Sequence, residues 1–418
     1  MKRAAAAVAL ILAMALGACG QEPTSASKDT QNLEVVSWWT SGSEAAALNT
    51  LLTAYRQAHP GVNAINAAVA GGAGSQAIVA LAKRLQAGNP PDVWQTFSGK
   101  SVQGYAERGT VRDVSSVAPA DVQPTISQSL KRDGKVYGIP TGAHRSNMLF
   151  FNLGVLQKAG VTPPSAGYTL AQFLDDLRRL QESGATGLCL GGKDPFTTAE
   201  LFENTLLSTI GADGWKAMAD DNLDWRGTKV RSALTSFGNL LAYADPEANG
   251  LTWDAATRKL ASGGCAFESM NDSAYGELLT TGAAKDFGYL AFPGTNDSFL
   301  AVVDVFVAAT KAANAKNALE FLRGISDPAT NAAFTKAKGS VPVRRSVEVS
   351  TLSAYQQQTS QTLWSSQVLL SVAHGEAMNP TFQEGFYDAV STYVRTRNPD
   401  AFADDLLNAV ANDRIPQR

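Results

Sequence analysis

From Val35 to Phe97 short apolar runs alternate with stretches whose apolar residues recur at helical spacing, and that rhythm leaves few folds open. The run Val35-Val36 ends at Ser37-Trp38-Trp39, breaks into Thr40-Ser41-Gly42, and gives way to a helical pattern through Glu44, Leu48, Leu51, Leu52 and Tyr55. His59-Pro60-Gly61-Val62 stops that helix and opens a second strand. A glycine-rich turn, Gly71-Gly72-Ala73-Gly74-Ser75, leads into Ile78, Leu81, Ala82 and Leu85; Asn89-Pro90-Pro91 ends this helix, and Asp92-Val93-Trp94-Gln95-Thr96-Phe97 reads as a third strand. Strands alternating with amphipathic helices predict an α/β fold with a mostly parallel sheet covered on both faces. In such a sheet the loops beyond the carboxyl ends of the strands collect ligand residues. Neighbouring strand residues face opposite ways, so one indole of the Trp38-Trp39 pair can pack inward while the other lines that crevice; both indoles in the core is an equally open reading.

The pattern continues downstream. Lys135 to Pro140 and the apolar run Met148-Leu149-Phe150-Phe151-Asn152 predict strands on either side of Ala143-His144-Arg145-Ser146-Asn147. Helices are expected around Leu170 to Leu180 and Ala199 to Leu207, with loops at Gly191 to Phe196 and Asn271 to Gly276. Leu300 to Val307 is an apolar strand interrupted by one carboxylate, Asp304, and a lone charge in a buried run is costly unless something pairs with it. That partner is either a ligand or a neighbouring Lys or Arg. The remainder reads as mainly helical, broken at Lys338-Gly339-Ser340-Val341-Pro342 and at His374-Gly375.

One feature places the chain outside the cytoplasm. Lys2 and Arg3 precede the apolar run Ala4 to Leu16, and Leu16-Gly17-Ala18-Cys19 follows, the layout of a secretory leader that resembles a bacterial lipobox. Residues 1–18 are therefore read as a signal peptide cut before a lipid-bearing Cys19, and 19–32 as a polar, flexible tether. The apolar run is shorter than the roughly 20 residues a membrane span needs. Of the remaining cysteines, Cys189 and Cys265 form an even pair in an oxidising compartment, open to a disulfide or to two separate buried thiols. Net charge is -3 with no long Lys/Arg run, so neither nucleic acid nor an anionic membrane surface is indicated. Three histidines (His59, His144, His374) and three cysteines, none spaced like a ligand pair, leave little material for a metal.

Catalytic signatures are missing. Gly187-Leu188-Cys189-Leu190-Gly191-Gly192-Lys193-Asp194 has the glycine and lysine spacing of a phosphate loop, but Asp194 stands where magnesium needs Ser or Thr, and its charge would repel phosphate. There is no Gly-x-Ser-x-Gly elbow, His-Glu-x-x-His helix or Cys-x-x-Cys pair. A carboxylate pair for glycoside hydrolysis stays open among 38 acidic residues, with nothing to single one out.

Taken in order, Trp38-Trp39, Gly71 to Gly74, Asn89-Pro90-Pro91-Asp92-Val93, His144-Arg145-Ser146-Asn147, the 300–307 strand, Lys338-Gly339-Ser340 and Val372-Ala373-His374-Gly375 resemble the extracellular solute-binding proteins of bacterial ABC sugar importers, within them the glucose/mannose-binding branch. The resemblance runs from about Leu33 to the C-terminus. It implies a non-enzymatic, two-lobe periplasmic-binding-protein fold with a sugar cleft between lobes and crossing strands near 142, 303 and 325. The lobes would be 33–142 with 304–325, and 143–303 with 326–418. By the same resemblance Trp38 and Trp39 line the cleft, Gln95 is a polar contact on a loop, Asp304 accepts from sugar hydroxyls, and Lys338 and His374 donate; Glu44 and Asp272 are further candidates for ligand contact. His144 serves as a ligand contact or as hinge support. The expected partners are a sugar, most readily a hexose, and a membrane permease; the protein is expected to be a monomer with no cofactor, held at a bacterial membrane only by its lipid. A disaccharide or polyol binder, a secreted carbohydrate-active hydrolase and a sensory adaptor are the alternatives. Two departures bear on the ligand: the branch carries an aromatic after the aspartate where this chain has Ser273, and a histidine is common where it has Phe97. Trp253, Tyr275 or Phe196 are the candidates to replace that ring.

Overall fold

The structure, a computed structural model, describes residues 31–40, 42–69, 75–282 and 286–413. The leader, Cys19, nearly all of the tether and the glycine-rich turn at 71–74 lie outside the described residues.

The first half of the chain builds one sheet. Strand β1 (Asn32–Val36) runs through the tryptophan pair into α1 (Gly42–Ala58), which buries Leu48, Leu51, Leu52 and Tyr55. Strand β2 (Asn63–Asn66), α2 (Ser75–Gln86) and β3 (Val93–Phe97) follow, and both β2 and β3 lie parallel to β1. After α3 (Lys100–Glu107), α4 (Pro124–Ser129) and the small hairpin of β4 (Lys131–Arg132) with β5 (Lys135–Val136), β6 (Ile139–Arg145) leads out to the second sheet. That sheet opens with β7 (Met148–Asn152) and continues through α5 (Leu153–Lys158), α6 (Leu170–Glu182), β8 (Leu188–Cys189), α7 (Pro195–Ala219), α8 (Thr228–Leu241) and α9 (Trp253–Ala261) to β9 (Phe267–Ser269), α10 (Ser273–Thr280) and β10 (Phe287–Ala291). Its strand order is β10-β7-β9-β8. Helix α6 shows how local sequence sets these elements. Thr169 and Gln172 form a reciprocal capping box, and Phe173, Leu177 and Leu180, one face at 3.6-residue spacing, are buried.

The long strand β11 (Ser298–Ala308) brings the chain back. It pairs antiparallel with β3 and with β6, and parallel with β12 (Gln367–Leu370), so the first sheet is mixed where the sequence predicted mostly parallel pairing. The reason is direction: β11 re-enters from the far sheet and runs against strands that left from the near one. Helices α11 (Ala315–Ile325) and α12 (Pro328–Lys338) then cover the first sheet, and α13 (Ala354–Ser365), α14 (Pro380–Thr396) and α15 (Pro399–Asp413) complete the chain.

The buried residues divide between the sheets. Leu48, Trp39, Phe306, Phe321 and Phe334 belong to the first core; Phe202, Phe237, Phe382, Phe386 and Phe402 gather on the second sheet. The expected crossings at 142 and 303 fall inside β6 and β11, which pair along residues 139–145 and 301–306, and the one at 325 falls at the end of α11. Helix α12 packs on α1, with Phe334 5.5 Å from Trp39, because its apolar face has the first core as its partner. Helix α13 reaches both cores: Tyr355 sits with the second and Leu363 with the first. Two further local expectations are corrected. Residues 273–276 are the first turn of α10 rather than loop, since Ala274, Tyr275 and Leu278 supply a buried helical face, and β12 adds a strand where only helix was expected. Cys189 and Cys265 are joined by a disulfide between β8 and the start of β9, with Cα atoms 5.7 Å apart.

Candidate functional site

A cavity of about 320 Å³ lies between the two cores, at the lower end of the range for small-molecule sites. Seven of the nine ligand candidates line it: Trp38, Trp39, Glu44, His144, Asp304, Lys338 and His374. The first wall is the strand end that the tryptophan pair marks. Trp38 packs 5.1 Å from Phe97, and Trp39 packs edge-on to Phe306. Trp39 is only 1% exposed, yet its indole Nε1 has no hydrogen-bond partner. The pair is thus both core and cleft.

Behind this wall runs a buried chain of charges. The pairing of β11 with β6 shifts register between Asp304 and Val305, an irregularity of the kind that re-aims a side chain. Asp304 Oδ1 accepts from Gln95 Nε2 at 3.0 Å, while Oδ2 lies 3.3 Å from His144 Nε2 and 3.8 Å from Lys338 Nζ without a hydrogen bond to either. Lys338 is the last residue of α12, where the helix dipole favours a cation, and Gly339 caps the helix in the left-handed region at φ 89°. Its Nζ donates to Glu44 Oε1 at 2.8 Å and stands 5.1 Å from the centre of the Trp39 ring. His144 Nδ1 meets Asp272 Oδ1 at 2.5 Å, and Asp272 Oδ2 also accepts from Tyr355 Oη at 3.2 Å. One imidazole therefore joins a carboxylate of the second core to one of the first while its residue lines the cavity.

Electrostatics follow from this packing. Burial pushes Glu44 above the usual carboxylate range despite Lys338. Burial would raise Asp304 too, but Lys338 and His144 outweigh it and hold its carboxyl below the usual value. Burial lowers Lys338, and Glu44 and Asp304 more than restore it. His144 is pressed down by burial and Lys338 and lifted above its ordinary value by Asp272 and Asp304. Burial drives His374 down to about 3, so its ring is neutral.

Two candidates stand one layer back. Gln95 lies in β3 rather than on a loop; besides holding Asp304, its Oε1 sits 3.5 Å from the Trp38 backbone N–H. Asp272 orients His144 and does not line the cavity. Of the rings offered in place of the missing aromatic, Trp253 and Phe196 line the cavity, whereas Tyr275 stacks on Tyr355 at 4.1 Å away from it. The sequence missed the rest of the second wall, Lys193, Asp194, Thr252, Asp254 and Met270. Asp194 Oδ2 accepts from the Trp253 backbone N–H at 2.9 Å, so the phosphate-loop look-alike is a brace for an aromatic.

Next to His374 lies a group of buried acids. Oxygen and nitrogen atoms of Glu200, Glu203 and His374 come within 4.8 Å of one another, close enough to hold a cation. Protein hydrogens already face those oxygens: Glu203 Oε2 receives the N–H groups of Val372 and Ala373, Ser371 Oγ lies 2.9 Å from Glu203 Oε1, and Glu200 Oε1 receives Asn271 Nδ2 at 2.8 Å. The cluster is built for protons rather than for a metal. Burial, then mutual repulsion, lifts Glu200 to about 8, and burial lifts Glu203 to about 7. Among the described residues no helix is long and apolar enough to cross a membrane.

Two sheet-and-helix lobes with an aromatic, charge-lined cavity between them define a two-lobe binding protein. Solved structures share this architecture: a bacterial solute receptor with an exclusive preference for β-D-galactopyranose aligns at a TM-score of 0.81 with 18% identity, covering 91% of this chain and 98% of that one. A chitin oligosaccharide binding protein also aligns at 0.81, with 17% identity over 92% of this chain and 99% of that one. Residues 50–360 match the family of bacterial extracellular solute-binding proteins, and the chain belongs to it. It is a solute-binding protein and not an enzyme. Sequence relatives span the same length. A probable sugar-binding periplasmic protein of Rhizobium meliloti is 30% identical over 92% of this chain and 95% of its own. A xylose/arabinose-binding protein of Haloferax volcanii is 25% identical over 91% and 84%.

Proposed function

We propose that this protein captures a sugar for an ABC importer, holding a glucose-like hexose between its lobes and handing it to a membrane permease. The observation that carries the reading is a buried indole N–H without a partner, Trp39 Nε1, on a cavity whose wall also holds His144 Nε2 and Asp304 Oδ2, 3.3 Å apart with no hydrogen bond between them. Buried polar atoms without partners are costly, and here they line a space that a polyhydroxylated ring fills with hydrogen bonds. Trp38 and Trp39 offer flat faces to the ring; Asp304 and Glu44 accept from hydroxyls, and Lys338 donates. Trp253 and Phe196 close over the other face from the second lobe. Sugar-binding relatives and structural neighbours support the same class.

The lobes move about β6 and β11 and across α13, and a ligand that touches both favours the closed state. Cys19 carries the lipid that keeps the protein, working as a monomer, at the outer face of the cell membrane or in the periplasm. A second reading, a disaccharide or polyol, rests on Ser273, which lines the cavity without filling it as a ring would.

Thermal unfolding of residues 33–418 against monosaccharides, disaccharides and polyols tests both readings. A ligand that binds only the folded protein stabilises it by about 2.7 kcal/mol at a hundredfold excess over its dissociation constant. Glucose or an epimer should shift the midpoint, with the shift abolished in Trp39→Phe, which removes the free indole N–H, and reduced in Trp253→Ala. Shifts with longer sugars alone favour the second reading. No shift with any carbohydrate removes the sugar assignment and leaves the fold standing.

A further inference from the structure

We infer that Glu203, which does not line the cavity, positions the cleft by fixing the tautomer of His374 through the Ser371 hydroxyl, so that the ring turns an accepting nitrogen toward the cavity. What that nitrogen does to a sugar rests on the function proposed above; the tautomer itself does not.

Ser371 Oγ has one hydrogen and two lone pairs. It lies 2.9 Å from Glu203 Oε1, 3.1 Å from His374 Nδ1 and 3.2 Å from the His374 backbone N, whose N–H donates to it. One lone pair is thereby taken. If the hydroxyl hydrogen goes to Glu203, the other lone pair must receive a hydrogen from His374 Nδ1, and Nε2 is bare. If the hydrogen goes to Nδ1, Glu203 must be protonated and Nε2 carries the ring hydrogen. The two protonation patterns are locked together.

The surroundings choose between them. Ser146 Oγ stands 3.0 Å from Glu200 Oε1 and 2.9 Å from Glu203 Oε1. A hydroxyl can donate to only one of them, so the other carboxyl supplies a proton. Glu203 Oε2 accepts two backbone N–H groups at 3.1 Å, from Val372 and Ala373, which stabilise its carboxylate. Glu200 has one short donor, Asn271 Nδ2, and a longer backbone contact at 3.4 Å. The proton therefore resides on Glu200, and the chain reads from protonated Glu200 through Ser146 to ionised Glu203, with Ser371 donating from the other side and His374 Nδ1–H behind it. The order of the two carboxyls, about 8 for Glu200 and about 7 for Glu203, agrees. His374 lines the cavity between the edges of Phe97 and Phe196, and with Nδ1 committed, Nε2 is the nitrogen left for a ligand. It accepts a hydroxyl hydrogen, opposite to the donor role that the residue type alone suggests.

The test is ring-nitrogen NMR of the full ligand-free chain labelled with ¹⁵N-histidine, in which the chain's three histidines are resolved and His374→Gln identifies the signal. The wild type should show a bare, pyridine-type Nε2 and a protonated Nδ1 just above neutral pH, where Glu203 at about 7 is mostly ionised and Glu200 at about 8 still holds its proton. Glu203→Gln keeps an oxygen for the two backbone N–H groups and places an NH₂ against Ser371, turning the hydroxyl hydrogen toward Nδ1; the ring should flip to Nε2–H. Ser371→Ala, which removes the relay and leaves both carboxyls, covers the case in which that variant does not fold, and should also abolish the Nδ1–H form. A wild-type ring protonated at Nε2, or an unchanged tautomer in either variant, overturns the inference. With whichever sugar shifts the unfolding midpoint, Glu203→Gln should weaken binding about tenfold by facing a hydroxyl donor with a donor. An unchanged affinity alongside a flipped tautomer would overturn the claim that Nε2 accepts from the ligand, and an absence of any sugar binding would refute the proposed function and not the relay.

Discussion

Lys338 stands within 4 Å of two carboxylates, Glu44 and the buried Asp304, and its removal tests how the cleft is held together. At an effective dielectric of about 20, a charge 2.8 Å from Glu44 is worth about 6 kcal/mol, and one 3.8 Å from Asp304 about 4 kcal/mol. Desolvating the ions costs several kcal/mol each, so the intact network is close to neutral in net effect. Deleting one partner is different. Lys338→Met leaves a similar volume beside Trp39 but strands both carboxylates, and should cost about 3–5 kcal/mol. Urea unfolding near pH 7 of the wild type, Lys338→Met, Glu44→Gln and the double variant measures this. The double variant should recover about 1–3 kcal/mol of the loss, the usual coupling between residues in contact. The penalty should also shrink at pH 5, because burial already holds Glu44 above the usual carboxylate range and the stranded group takes up a proton. A Lys338→Met protein within about 1 kcal/mol of wild type, or a double variant no better than the single, would refute the network as described.

Glu268 predicts a pH dependence of its own. It is buried in β9 with only Thr257 Oγ1 donating to it, at 3.0 Å, and burial pushes it up to about 8. Its folded value is above the unfolded one, so its contribution is fully present below about pH 4.5 and is lost as pH rises toward 8, by about 1.4 kcal/mol per unit at most. Glu268→Gln does not titrate, and its stability relative to wild type should improve by on the order of 3 kcal/mol between pH 5 and pH 8 in urea titrations; an equal difference at both values would exclude a neutral Glu268. Cys189 and Cys265 close a loop with a sequence separation of 76, and the chain-entropy relation gives the disulfide about 4.5 kcal/mol. The Cys189→Ala/Cys265→Ala protein should unfold earlier by that order in urea, and a loss below about 1 kcal/mol would mean that the second lobe does not rely on its cross-link.

Local rules carried the elements they govern. Phe173, Leu177 and Leu180 marked α6 by period, and the change from Val35-Val36 to two tryptophans marked the end of β1. The charge inside the apolar run at 300–307 pointed to Asp304 because burial makes such a charge demand partners, and the structure supplies Gln95, His144 and Lys338 around it. Non-local pairing was hidden. Lys193, Asp194 and the 252–254 segment reach the cleft only because Asp194 braces Trp253, 59 positions later, and no periodicity records that contact. The polar start of the 271–276 stretch masked the helical spacing of Ala274, Tyr275 and Leu278.

Where the cores meet at the rim of the cleft, backbone touches backbone. A Cβ on Gly276 would sit 2.4 Å from the Lys338 carbonyl oxygen, and one on Gly339 would sit 2.6 Å from the Gly276 nitrogen. Nothing but the absence of two methyl groups sets the spacing there. Any side chain at either position is a shim that props the lobes apart without meeting a ligand, so the fit of the jaws depends on two positions as much as on the aromatic rings they bring together.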